Sequence, residues 1–119
     1  MGYCISLRDS SFQIKYENLR KALAALKADK GIQTAYYKDL RDACQCKTLE
    51  RAFKCMCYTV DYNDDGDICD IHFGGDKYAD DLIFFTALAP YVESGSYLLY
   101  MGDDGPWKWE FIDGELFER

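Results

Sequence analysis

Four thiols fall within fourteen residues of this chain, as Cys44-Gln45-Cys46 and Cys55-Met56-Cys57. Four thiolates at the corners of a tetrahedron make a zinc site. The common ligand pair is C-x2-C, whose backbone turn aims both sulfurs at one ion. A C-x-C pair on a helix sends its side chains to nearly opposite sides. Cysteine is also a small apolar core residue. The spacing therefore favours buried free thiols, with zinc binding as the alternative.

The run Asp61-Tyr62-Asn63-Asp64-Asp65-Gly66-Asp67-Ile68 offers a different chemistry. Oxygen ligands at its first, third and fifth positions, a glycine at the sixth and an apolar eighth match the opening of a calcium-binding EF-hand loop. The twelfth position, which needs a bidentate Glu, is His72, and Gly74-Gly75 falls where an exit helix should begin. A hairpin turn accounts for the same residues, so calcium is again the alternative.

His72 is the single histidine, and on a strand it shares a face with Asp70. A cysteine nucleophile would have no other imidazole to serve as base. The chain has no G-x-S-x-G elbow, Walker loop, dinucleotide fingerprint or H-E-x-x-H. Neither an enzymatic activity nor a cofactor is expected. Trp107, Trp109 and Phe111 alternate with Lys108 and Glu110, so the three rings share one face of a strand. That face is expected in the core, and an exposed stripe would instead be a binding platform.

Charge gives the clearest functional signal. The net charge is -7, but residues 1–60 hold 11 Lys+Arg against 6 Asp+Glu, a balance of +5. Residues 61–119 hold 3 against 15, a balance of -12. Phosphates are repelled by such a field, so direct nucleic-acid binding is not expected. A basic protein partner fits the acidic half. The residues expected to meet it are Asp61, Asp64, Asp65, Asp67, Asp70, Asp103 and Asp104. Self-association of the basic half with the acidic half of a second copy is a further expectation. No run reaches the roughly 18 apolar residues of a membrane span. The start MGYCISLRDSS lacks the pattern of a signal peptide. A cytoplasmic location with reduced thiols is the resulting expectation.

The elements that must position these residues follow from periodicity. The most apolar run, Asp80–Val92, reads as the helix on which a sheet packs. Leu82, Phe85, Leu88 or Ala89, and Val92 form its stripe, with Asp80 and Asp81 at its start and Pro90 near its end. Leu19, Leu23 and Leu26 place a helix over 17–28, stopped by Gly31. Thr48 is the expected N-cap of a helix reaching about Lys54. Strands are expected at 3–7, with a bulge or turn at Asp9-Ser10-Ser11 and a continuation over 12–14. Hairpins are expected around Asn63-Asp64-Asp65-Gly66 and Gly102-Asp103-Asp104-Gly105-Pro106. A last edge strand follows Asp113-Gly114. The order predicts a single α+β domain with an antiparallel sheet of four to six strands packed on two main helices. A ferredoxin-like βαββαβ core, or a close variant with a helical insert and an extra C-terminal strand, accounts for it.

The run LAPYVESGSYLLYMGDDGPWKWEFIDGEL resembles the C-terminal part of a family of small bacterial proteins without an established activity. The family form is Leu-Ala-Pro-Tyr-Val, then Gly-Ser-Tyr, Gly-acidic-Asp-Gly, Trp-x-Trp-x-Phe and Asp-Gly. YNDDGDICDIHF and SSFQIKYENLRKALAALK are similar to the same group. The resemblance implies a bacterial or phage-related source and brings no functional residues with it. The function expected from the residues is a small acidic interaction or inhibitor-type protein that occludes a basic partner.

Overall fold

One strand, β1 (Ile5–Ser11), pairs along its length with Tyr97–Gly102, and beyond its two ends Cys4 and Ile14 make isolated bridges to Lys77 and Ile68. The computed structural model describes residues 3–119. After β1 come α1 (Leu19–Ala28), α2 (Lys30–Gln33), α3 (Lys38–Ala43) and α4 (Leu49–Cys55). They are followed by the hairpin of β2 (Tyr58–Tyr62) and β3 (Ile68–Phe73), then α5 (Asp81–Leu88). β4 (Tyr97–Gly102), β5 (Gly105–Ile112) and β6 (Glu115–Glu118) complete the chain. The fold is α+β, with a four-stranded antiparallel sheet in the order β1-β4-β5-β6 and a separate β2-β3 ladder. None of the helices among the described residues is long and apolar enough to cross a membrane.

The sequence predicted one sheet where the structure has two ladders. Among the described residues one antiparallel bridge, Ile14 with Ile68, joins them, and a second, Cys4 with Lys77, ties the start of the β1 segment to the chain after β3. Between these bridges β1 bulges between Leu7 and Asp9. Ser10 Oγ there donates to Asp70 Oδ1 at 2.7 Å and lies 3.3 Å from Ile71 O. A bulge bends its strand and breaks the ladder locally, and a hydroxyl fills the gap that backbone bonds would otherwise close.

α5 covers the division. Phe85 packs edge-on against Tyr58 of β2 and lies 6.0 Å from Trp109 of β5, ring centre to ring centre. Phe12 meets Phe53, Phe85 and Phe111 edge-to-face. These aromatic pairs join both ladders and two helices into one core.

Local sequence explains most helix limits, with three corrections. α1 ends at Ala28 as expected, but the stop is Asp29 rather than Gly31: Asp29 leaves the helical region and its Oδ1 accepts the Ile32 N–H at 3.0 Å. A carboxylate is a good N-cap, so Asp29 starts α2 and Gly31 lies inside it. Thr48 does cap α4, accepting from Arg51 N–H at 3.2 Å. Of the expected stripe, Phe85, Leu88, Ala89 and Val92 are buried as predicted, but at the start of α5 Asp81 and Phe84 are buried in place of Leu82. Asp80 sits in the left-handed region at φ 58°, which rotates the helix start, and Leu82 remains 38% exposed. Pro90 ends the α-helical hydrogen bonding, so 89–91 form a 3-10 turn rather than a last α-turn.

Candidate functional site

The two acidic turns lie at opposite ends of the sheet. Ile5 pairs with Gly102, so Asp103 and Asp104 lie beyond the Cys4 end of β1. Ile68 pairs with Ile14, so the turn at 63–66 lies beyond the other end. The strand rise puts about 30 Å between Cys4 and Ile14. The seven expected aspartates therefore form no common surface.

Their side chains also differ in what they do. Asp67 is buried and turned inward, accepting the Tyr16 N–H at 2.7 Å and Asn63 Nδ2 at 3.1 Å. The Tyr16 N–H is the main reason its carboxyl titrates below the usual carboxylate range. Asp70 holds Ser10 and the Ile71 N–H. Asp61 Oδ2 meets His72 Nε2 at 2.6 Å on the exposed face of the hairpin. Asp103 Oδ2 accepts the Cys4 N–H at 3.1 Å. Among the described residues, the carboxylates of Asp64, Asp65 and Asp104 accept no hydrogen bond, and all three are exposed. Asn63 Oδ1 accepts the N–H groups of Asp65 and Asp67, both at 3.0 Å, as a side-chain-closed turn does.

The thiols separate as well. Cys46 Sγ and Cys55 Sγ approach to 3.5 Å, but buried Cys44 donates to Arg41 O and Cys57, two residues beyond the end of α4, is exposed at φ 69°. Burial, then the hydrogen bond with Cys46, pushes the Cys55 thiol up to about 11. Among the described residues, no three His, Cys, Asp or Glu side chains are placed to hold a metal ion.

At the Cys4 end the aromatic stripe of β5 runs out of the core. Phe111 and Trp109 are buried, whereas Trp107 is only half-buried. Beside it opens a pocket of about 280 Å³ lined by Tyr3, Tyr78, Leu82, Trp107, Trp109 and Glu118. Trp107 is stacked on Tyr100 at 5.2 Å and 13°, and the Tyr3 ring lies 6.2 Å from it. Both rings cross Gly102, where a Cβ would come within 2.5 Å of Trp107 and 2.6 Å of the Tyr3 hydroxyl. The Tyr3 hydroxyl accepts the Asp104 N–H at 3.1 Å, and Tyr78 N–H donates to Tyr3 O at 2.7 Å. Glu118 stands opposite Trp109 in the β5–β6 register, and its Oε1 accepts the indole N–H at 3.2 Å. Burial raises the Tyr78 phenol, and the nearby charges of Asp81, Asp80 and Glu118 add to it. The pocket is thus lined by four aromatic side chains and Leu82, with the carboxylate of Glu118 at its edge.

Tyr3, Tyr78, Leu82 and Glu118 are the pocket residues that sequence reasoning missed. For Glu118 the signal was present: a tight turn at Asp113-Gly114 pairs Ile112 with Glu115, and counting outward pairs Trp109 with Glu118. For Tyr3 and Tyr78 there was none, since their meeting depends on the bridge between Cys4 and Lys77.

No family model, curated protein or solved structure matches this chain.

Proposed function

We propose that the protein is an interaction module that binds a basic partner protein at the Cys4 end of its sheet. The observation that carries this reading is a group of carboxylates without a cationic side chain paired to them, gathered around an open aromatic pocket. Glu118 lines the pocket, Asp104 meets the Tyr3 hydroxyl through its N–H, Asp103 holds the Cys4 N–H, and Asp76 and Asp80 flank Lys77 and Tyr78 in the chain; among the described residues none of the five makes a salt bridge. Lys77 stands among them, but its Nζ is turned to Cys4 Sγ at 3.3 Å. Arg119, next to Glu118, is paired instead with Glu110 at 3.1 Å. Lys and Arg of a partner would supply the missing charge, and ring faces beside carboxylates suit their alkyl stems as well as their heads.

The test is capture of a partner on the immobilised protein, followed by titration of that purified partner in rising salt. Charge-driven binding weakens as screening increases. The double variant Asp76→Asn, Asp104→Asn is expected to bind several-fold more weakly, while Asp64→Asn, Asp65→Asn binds as the parent does. Salt-insensitive binding overturns the reading. Loss in the second variant alone moves the surface to the opposite end.

The same reading supplies a fold for the module. We infer that β2-β3 and β1-β4 are the halves of a ferredoxin-like βαββαβ unit, opened between β1 and β3 by the bulge and Ser10. What supports it is the antiparallel bridge of Ile14 with Ile68, the first residue of β3, beside the antiparallel pairing of β1 with β4.

A further inference from the structure

We propose that the pocket between Tyr3, Tyr78, Trp107 and Trp109 is a cage for a methylated ammonium group, carried by a lysine side chain of the basic partner. The inference rests on the partner reading above and adds the chemistry of the residue that enters.

The choice of occupant follows from what the walls offer. A cation over an aromatic face is attracted by the ring quadrupole, and indole is the strongest of the side-chain rings. Two phenols and the half-buried indole of Trp107, stacked by one face on Tyr100, line this pocket, and buried Trp109 closes its floor, so both tryptophans of the chain border it. Glu118 is the single charged side chain of the lining and gives a negative edge to the ring walls. No Lys, Arg or His lines the pocket to compete.

An unmodified ammonium suits this site poorly. It carries three N–H donors and is strongly hydrated, so entry requires acceptors in place of water. Glu118 is the one carboxylate of the lining and its Oε1 takes the Trp109 N–H, which leaves chiefly Oε2 for three donors, and the ring faces are weak acceptors. Methyl groups remove the donors, spread the charge and lower the cost of leaving water, while the ring faces gain apolar contact. The volume of about 280 Å³ is below that of a drug-sized cleft and fits a small head group with part of its stem.

The shape is set before any ligand arrives. Trp107 is held by its stacking on Tyr100, Trp109 by Glu118, and Tyr3 by the Asp104 N–H over Gly102. Side chains fixed in this way lose little freedom on binding.

Because both tryptophans line the pocket, their emission reports its occupancy directly. The experiment titrates the full chain with three versions of one short lysine-rich peptide. One lysine is trimethylated, unmodified, or replaced by a neutral tert-butyl isostere of the trimethylated side chain. Saturable change of emission is expected with the trimethylated peptide, with binding about tenfold tighter than either of the others, the scale of one to two good cation–π contacts. Glu118→Gln, an exposed substitution, is expected to weaken the trimethylated peptide several-fold and to leave the thermal midpoint unchanged. Trp107→Leu is expected to abolish the preference, its folding verified by the remaining Trp109 emission. Equal binding of the trimethylated and unmodified peptides overturns the cage and leaves the acidic-surface reading standing. Equal binding of the neutral isostere overturns it too, showing a plain apolar pocket. Free choline binding as tightly as the trimethylated peptide overturns the assignment to a lysine of a partner. Failure of all three peptides at low salt overturns the partner reading together with this one.

Discussion

The hydroxyl of Tyr58 lies 2.6 Å from Asp81 Oδ2, in the core where β2 meets the start of α5. Tyr58 has one proton to give, and the carboxylate takes it, so Tyr100, 2.6 Å away, donates in turn to Tyr58. Burial raises Asp81 above the ordinary carboxyl range, against the hydrogen bonds from Tyr58 and the Ala79 N–H that favour its charge. Burial also pushes both phenols far up. The chain of three side chains ties the β2-β3 ladder, α5 and β4 together through polar atoms in an otherwise apolar core.

Tyr58→Phe is expected to destabilise the fold by about 1–3 kcal/mol, the cost of leaving a buried acceptor without its donor. The sign of the pH dependence follows from the raised value of Asp81. The folded chain keeps that proton to higher pH than the unfolded chain, whose carboxyl titrates near 3.9. The stability from this group is therefore complete below the unfolded value and is lost as pH rises through the folded one. Removing the Tyr58 donor harms the ionised carboxylate most. The loss in Tm for Tyr58→Phe is expected to be larger at neutral pH than in acid, read by thermal unfolding at both.

Asp67 carries the opposite sign. Its folded value is lowered, chiefly by the Tyr16 N–H. Its contribution is present above the unfolded value and is lost as pH falls through the folded one. Asp67→Asn is expected to lower Tm at neutral pH, with the gap from the parent closing in acid. A gap that stays constant across that range would show that the carboxylate charge is not what Tyr16 and Asn63 require.

Gly102→Ala is expected to cost about 1–3 kcal/mol, as overpacking does when neighbours cannot move. The added methyl would meet Trp107 at 2.5 Å and the Tyr3 hydroxyl at 2.6 Å. Denaturant midpoints measure the cost. Tryptophan emission checks that the displaced ring is Trp107.

Cys46 and Cys55 are expected to be the first pair to cross-link under a mild thiol oxidant, losing two hydrogens to it as their sulfurs join. Their sulfurs are 3.5 Å apart. The Cys55 thiol, raised to about 11, supplies little thiolate near neutrality. The rate is therefore expected to climb with pH, since the thiolate is the nucleophile. Peptide mapping under non-reducing conditions identifies the linkage. A first cross-link involving exposed Cys57 instead would contradict this geometry.

The hairpins were legible because their signals are local. Asn63-Asp64-Asp65-Gly66 and Asp103-Asp104-Gly105 supply the carboxylates and positive-φ glycines that tight turns need, and alternating apolar residues flank both. Thr48 was legible as a cap for the same reason, since its partner lies three residues away. The stripe of α5 was legible from Phe85 onward and misread only at its start, where Asp81 rather than Leu82 behaves as a core residue. A carboxylate counts as polar in any periodicity, and only Tyr58, 23 residues earlier in the chain, makes its burial tolerable.

The sequence by itself determined the composition of this molecule's surface and its local turns: an acidic second half, an α+β order of elements, and an aromatic stripe along one strand. Each depends on residues within a few positions of one another, where spacing alone fixes which side chains share a face. Only the tertiary structure decided which carboxylates are free. Asp67 and Asp70 look like Asp64 and Asp65 in the sequence, yet their partners Tyr16 and Ser10 are more than fifty residues away. It also decided that the stripe ends in a pocket, because Tyr3 and Tyr78 reach Trp107 only when β1 and the segment after β3 are bridged at Cys4 and Lys77. Contacts of that sequence separation are set by how the whole chain packs, and no local pattern encodes them.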